Sequence, residues 1–72
     1  MFRYVPIQEN LYSDDLGCYI SFGIECIDSE EQTVLFLSDV SVNRDFIEKL
    51  CFEFTAFQLS PIHLYDVIQD KL

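Results

Sequence analysis

Positive charge is scarce in this chain: four Lys and Arg stand against 13 Asp and Glu in 72 residues, a formal charge of −9. Arg3, Arg44, Lys49 and Lys71 are scattered along the sequence. No basic stripe therefore exists to neutralise a phosphate backbone, and direct contact with DNA or RNA is disfavoured. The same field repels anionic membranes. Long hydrophobic runs are also missing: nothing approaches the roughly 20 apolar residues of a membrane span, and the start from Met1 to Pro6 lacks the apolar segment of a signal peptide. A soluble, cytoplasmic protein is expected.

Histidine is limited to His63. An imidazole general base or a zinc site would have to be built around it, without a second imidazole or a thiol at a ligand spacing. At the third position of a helix it serves the helix start or faces water. Cys18, Cys26 and Cys51 form an odd set that matches neither a redox CxxC nor a zinc knuckle. Placed on one strand, Cys18 and Cys26 lie about 27 Å apart at roughly 3.4 Å per residue, far beyond disulfide reach. Both fall on the apolar face of that strand and Cys51 on an apolar helical stripe, so reduced, inert core thiols are expected.

The acidic turns Asp14-Asp15 and Asp28-Ser29-Glu30-Glu31 lack the ligand rhythm and glycine of an EF-hand loop. A glycosidase-type carboxylate pair needs a cleft that so small a domain can hardly enclose. No enzymatic activity, cofactor or metal is expected.

Against these absences, half of the residues are hydrophobic, among them seven Phe and four Tyr. A chain too polar to bury its apolar surface stays unfolded; this one has enough to fold, as a single small domain over residues 1–72. Its size keeps stability marginal, and repulsion among the acids narrows the margin further.

Residues Phe2 to Glu9 read as a short strand that Pro6 confines to a sheet edge. Asn10, Ser13, Asp14, Asp15 and Gly17 then suggest a loop. Cys18, Ile20, Phe22, Ile24 and Cys26 alternate strictly and mark a second strand, and the acidic turn at 28–31 leads into the unbroken apolar run from Thr33 to Leu37. A run without alternation points to burial on both faces, which would make the third strand central or covered. A helix follows from Arg44 to about Gln58, with Asn43 as N-cap, Asp45 in its first turn, and a stripe of Phe46, Ile47, Leu50, Cys51, Phe54 and Phe57. Ser60 as N-cap, Pro61 at the first helical position and a Leu59–Leu64 staple open a second helix with the stripe Leu64, Tyr65, Ile68 and Leu72. The sum is an α+β domain of order β-β-β-α-α, a three-stranded antiparallel sheet with both helices packed on one face.

The segment LSPIHL-x-DVI-x-D, Leu59 to Asp70, resembles the C-terminal signature of a family of short uncharacterised proteins from Gram-positive Firmicute bacteria. In that family a sheet-forming half similar to residues 2–42 precedes a helix like that at 44–58. The resemblance implies cellular context and fold. It assigns no activity, and the Cys51-Phe52-Glu53-Phe54 segment departs from the family pattern. Within the signature, Ser60 and Pro61 fix where the second helix starts, while Leu59, Leu64 and Ile68 fix how it docks. His63 and Asp66 lie three apart on one helical face and can exchange a hydrogen bond there.

A foldable, heavily anionic chain without a catalytic constellation points to a non-catalytic protein-binding module. Asp14, Asp15, Asp28, Glu30 and Glu31 would supply charge that imitates phosphates at a basic site of a nucleic-acid-processing enzyme, with Phe52 as apolar anchor. Small acidic proteins of phages and mobile elements, including inhibitors of CRISPR effectors and restriction systems, are similar in size and charge. The alternative is a homodimeric structural or regulatory protein that buries the second sheet face through Tyr19, Ile27 and the strand from Val34 to Leu37.

Overall fold

The computed structural model describes residues 1–72. Strand β1 (Arg3–Ser13) pairs antiparallel with β2 (Gly17–Ile27), and β2 with β3 (Thr33–Ser41), giving the sheet order β1-β2-β3. Helix α1 (Arg44–Ala56) follows, then a 3-10 turn (Pro61–His63) that runs directly into α2 (Leu64–Lys71). The expected β-β-β-α-α order is the observed one. The helices lie on one sheet face, where Tyr4, Phe22, Ile24 and Cys26 pack against Ile47, Leu50, Cys51, Phe54, Leu64 and Ile68. The rings of Tyr4 and Phe54 meet edge to face, 5.6 Å between centroids.

The first hairpin is longer than its turn-forming residues suggest. Instead of a loop over Asn10–Gly17, β1 continues to Ser13 and only Asp14, Asp15 and Leu16 turn. The pairs Asn10–Ile20, Leu11–Tyr19 and Tyr12–Cys18 carry the ladder onward, because large β-favouring side chains on both strands outweigh the local preference of Asn10 and Ser13. Gly17 closes the three-residue turn at φ 72°, a left-handed conformation that glycine adopts without a Cβ penalty.

The third strand is an edge, not the centre. Its unbroken apolar run is not buried on both faces: Leu35 and Leu37 pack toward the core while Val34 and Phe36 are exposed. The register with β2 shifts once between Cys26 and Ile27, and again between Phe22 and Ile24. At the second shift Asp39 takes φ 53°. The three residues Ser38, Asp39 and Val40 stand opposite Gly23 there. A Cβ on Gly23 would sit 2.4 Å from the Leu37 carbonyl oxygen, so any other residue here forces the bulge to shift.

Both helix-terminal readings at α1 hold. The Asn43 side chain accepts from Phe46 N–H, and the helix ends at Phe57 with Gln58 left-handed at φ 53°. Leu59 N–H then reaches back to Phe54 C=O and Gln58 N–H to Thr55 C=O, a Schellman closure that places Leu59 against the core. The apolar stripes are narrower than expected, since Phe57, Tyr65 and Leu72 are exposed, with Val67 half-buried. Ser60 caps the 3-10 turn without a side-chain hydrogen bond.

Candidate protein-binding surface

Strand β2 separates the two acidic turns. Asp14 and Asp15 sit at one end of the sheet, and Asp28, Glu30 and Glu31 at the other. The 11 residues of β2 span roughly 37 Å, comparable to the 39 Å longest dimension of the molecule. The five carboxylates therefore bracket the sheet and do not form one cluster. At the second turn Asp28 accepts from Glu30 N–H (2.8 Å) and Gln32 N–H (3.0 Å), fixing the turn, and Glu31 pairs with Arg3 at 2.7 Å. Arg44 pairs with Glu48 at 3.1 Å. Those two ion pairs engage two of four cations and leave eleven of 13 carboxylates without one. Phe52 is 76% exposed on the solvent side of α1.

The sheet face opposite the helices is uncovered. By alternation and register it carries Val5, Ile7, Leu11, Tyr19, Glu25, Ile27 and Phe36. Tyr19 and Ile27 thus share a face but lie near opposite ends of β2. Leu35 and Leu37, in contrast, pack toward the core, so the run from Val34 to Leu37 does not present a single surface.

A polar network on this outer face was not legible in the sequence. Glu9 accepts from Ser38 Oγ (2.7 Å) and Asp39 N–H (2.8 Å), and Asp39 in turn accepts from Tyr19 Oη (2.9 Å) and Ser21 Oγ (2.5 Å). The hydrogen bond to Asp39 raises the Tyr19 hydroxyl above its ordinary pKa, aided by desolvation and by the charges of Asp39 and Glu9. Ser21 is fully buried. The bulge creates these contacts by turning Asp39 back over β2, and such a feature has no local sequence signal beyond Gly23.

The cysteines divide. Cys26 and Cys51 are buried, and burial is the main cause of their raised pKa values, Cys51 being pushed up to about 11. Cys18 is exposed, contrary to the expectation of a core thiol. Its face is the core face, but the residues of β2 that pack under the helices begin at Phe22, so Cys18 lies beyond the helical cover. His63 is exposed in the 3-10 turn. None of the three surface depressions is lined by His63 or by a cysteine, and no three His, Cys, Asp or Glu side chains converge as metal ligands would. No helix is long and apolar enough to cross a membrane.

The sheet edges are blunted over part of their length. On β1, Gln58 and Thr55 bond the outward backbone groups of Phe2 and Tyr4, and Pro6 brings no N–H. On β3, bulges flank the regular stretch Leu35–Leu37.

A family model described as a family of unknown function, DUF6514, matches residues 1–72. The chain belongs to this family. Among curated proteins and among solved structures, nothing matches it. Membership of DUF6514 fixes kinship over the whole chain and leaves the activity to be argued from the surface itself.

Proposed function

We propose that this member of DUF6514 is a non-catalytic protein-binding module whose partner presents a basic surface. The observation that carries the reading is the charge balance: eleven carboxylates without a cationic partner, on a folded body of 72 residues with formal charge −9. Such a field steers basic partners over long range. The most concrete partner is a nucleic-acid-processing enzyme whose basic site Asp14, Asp15, Asp28, Glu30 and Glu31 would occupy in place of phosphates, with Phe52 available as an apolar contact. The separation of the two acidic turns suits an elongated site, of the length a nucleic-acid groove has. On this reading the protein acts in the cytoplasm, as phage and mobile-element inhibitors do, and the LSPIHL-x-DVI-x-D stretch is taken as a mark of Firmicute origin.

The test is competition. A basic partner captured on the immobilised protein should be released by duplex DNA and by rising salt, with log affinity falling linearly in log salt. Binding indifferent to both removes phosphate mimicry.

A second reading, a homodimeric structural or regulatory protein, is favoured by the uncovered outer face with Ile7, Tyr19, Ile27 and Phe36. It requires a melting temperature that rises with protein concentration. A monomer in sedimentation at every accessible concentration removes it.

A further inference from the structure

The end of the first hairpin projects beyond the rest of the sheet. Strand β3 pairs with β2 only from Phe22 onward, so Glu9–Ser13 and Gly17–Ser21 form a two-stranded ribbon with no third strand in its ladder, β3 reaching it only through the contacts of Ser38, Asp39 and Ser41 with Glu9, Tyr19 and Ser21. A lone two-stranded ribbon is marginally stable in water. This one is nonetheless rich in large apolar residues. On the face that carries Tyr4, Phe22 and Ile24 into the core, the alternation continues outward through Ile20 and Tyr12, which are 53% and 70% exposed. Leu16 at the tip is 71% exposed. The core stripe thus runs on past the N-terminus of α1 with nothing packed on it.

Charge at this end has one sign. From Glu9 to Ser21 there is no cationic residue, and Asp14 and Asp15 directly precede Leu16. Asp45 lies in the first turn of α1, which starts three residues after Ser41, the partner of Phe22. The nearby cation, Arg44, is already paired with Glu48. A second copy would bring the same carboxylates against this patch, and repulsion disfavours it.

We infer that the core-side face of the hairpin ribbon, Tyr12, Leu16 and Ile20, is a docking surface for a segment of another protein that carries apolar side chains flanked by Lys or Arg. The apolar side chains cover Tyr12 and Ile20 and extend the helix-on-sheet layer, while the flanking cations meet Asp14, Asp15 and Asp45. This rests on the protein-binding reading above and gives it a location.

Cys18, paired with Tyr12 in the ladder and exposed, reports on the site because the other two thiols are buried. The probe is a synthetic amphipathic Leu/Lys peptide of about five helical turns, compared with a Ser/Lys peptide of the same charge, using the full chain and its Tyr12→Ser, Ile20→Ser, Phe36→Ser and Phe52→Ser variants, all verified as folded by circular dichroism. The Leu/Lys peptide should bind more tightly than the Ser/Lys peptide and slow maleimide labelling of Cys18. Tyr12→Ser and Ile20→Ser should each weaken it by about tenfold, as loss of an anchor does, with Phe36→Ser and Phe52→Ser within about twofold. Equal binding of both peptides, or full binding to the Tyr12 and Ile20 variants, overturns this surface while the charge reading stands. If neither cationic peptide binds, both fall. Shielding of Cys18 by self-association in sedimentation, without peptide, also overturns the inference, because a second copy is then the occupant.

Discussion

The Gln58 side chain pairs with the backbone of Phe2 as a neighbouring strand would, its Oε1 accepting from Phe2 N–H at 2.9 Å and its Nε2 donating to Phe2 C=O at 3.0 Å. The same residue terminates α1 in a left-handed conformation, φ 53°. One side chain therefore closes the sheet edge and fastens the helix end to it. Gln58→Ala loses the pairing and keeps the strained backbone, and should cost about 1–3 kcal/mol in urea unfolding. Gln58→Gly loses the pairing but relieves the strain, and should recover roughly 1 kcal/mol relative to alanine. An alanine variant as stable as the parent would show that the edge needs no such cover.

Gly23 faces the bulge of β3, where an added Cβ meets the Leu37 oxygen at 2.4 Å and the Phe36 ring at 3.1 Å. Gly23→Ala should cost about 1–3 kcal/mol, the usual range for overpacking, and should change the amide shifts of Ser38 to Val40. An alanine variant of parental stability would mean that the bulge yields without cost.

Thiol chemistry separates the three cysteines. At neutral pH a disulfide reagent should modify Cys18 alone in the native protein and all three after denaturation, which mass spectrometry would count. Burial lifts the Cys51 thiol from an ordinary 9.0 to about 11, and lifts Cys26 as well. A thiol whose native pKa exceeds its unfolded one stabilises the fold below the unfolded value and loses that contribution as pH rises through the native value. Urea midpoints should accordingly fall between pH 9 and 11, and a Cys51→Ala variant should show a shallower fall over that window.

Self-repulsion is countered by only two ion pairs, Arg3–Glu31 and Arg44–Glu48, both solvent-exposed. Monovalent salt should therefore raise the melting temperature up to moderate ionic strength, as screening weakens repulsion more than it weakens exposed pairs of small net value. A melting temperature that falls with salt would mean that attractive pairs dominate the native charge balance.

Helix α1 was legible from its cap at Asn43, its dipole-matched Asp45 and its stripe because each of these signals is local. The alternation from Phe22 to Cys26 was legible for the same reason, the period of the side chains being that of the strand. What misled was also local: Asn10 and Ser13 have turn character, yet their partners across the hairpin, Ile20 and Gly17, hold them in the ladder. Cys18 has the parity of a core residue and no element above it. In the candidate site, the acidic residues and their placement in the turns on either side of β2 were visible in the sequence, but the extension of the first hairpin into an exposed apolar ribbon between Asp14 and Phe22 was not.

The order of elements, the acidity, the boundaries of α1 and the core parity of β2 follow from the sequence alone, since propensity, periodicity and charge are properties of neighbours along the chain; the expected start of the second helix at Pro61 is instead a 3-10 turn, with α2 beginning at Leu64. Tertiary structure decided that β2 is central and β3 an edge, that Glu9 and Asp39 are held by Ser21, Ser38 and Tyr19, and that the first hairpin outruns its covering. Those outcomes depend on which strand finds which register and on where a bulge shortens the third strand's reach, and such pairings join residues that are distant in sequence.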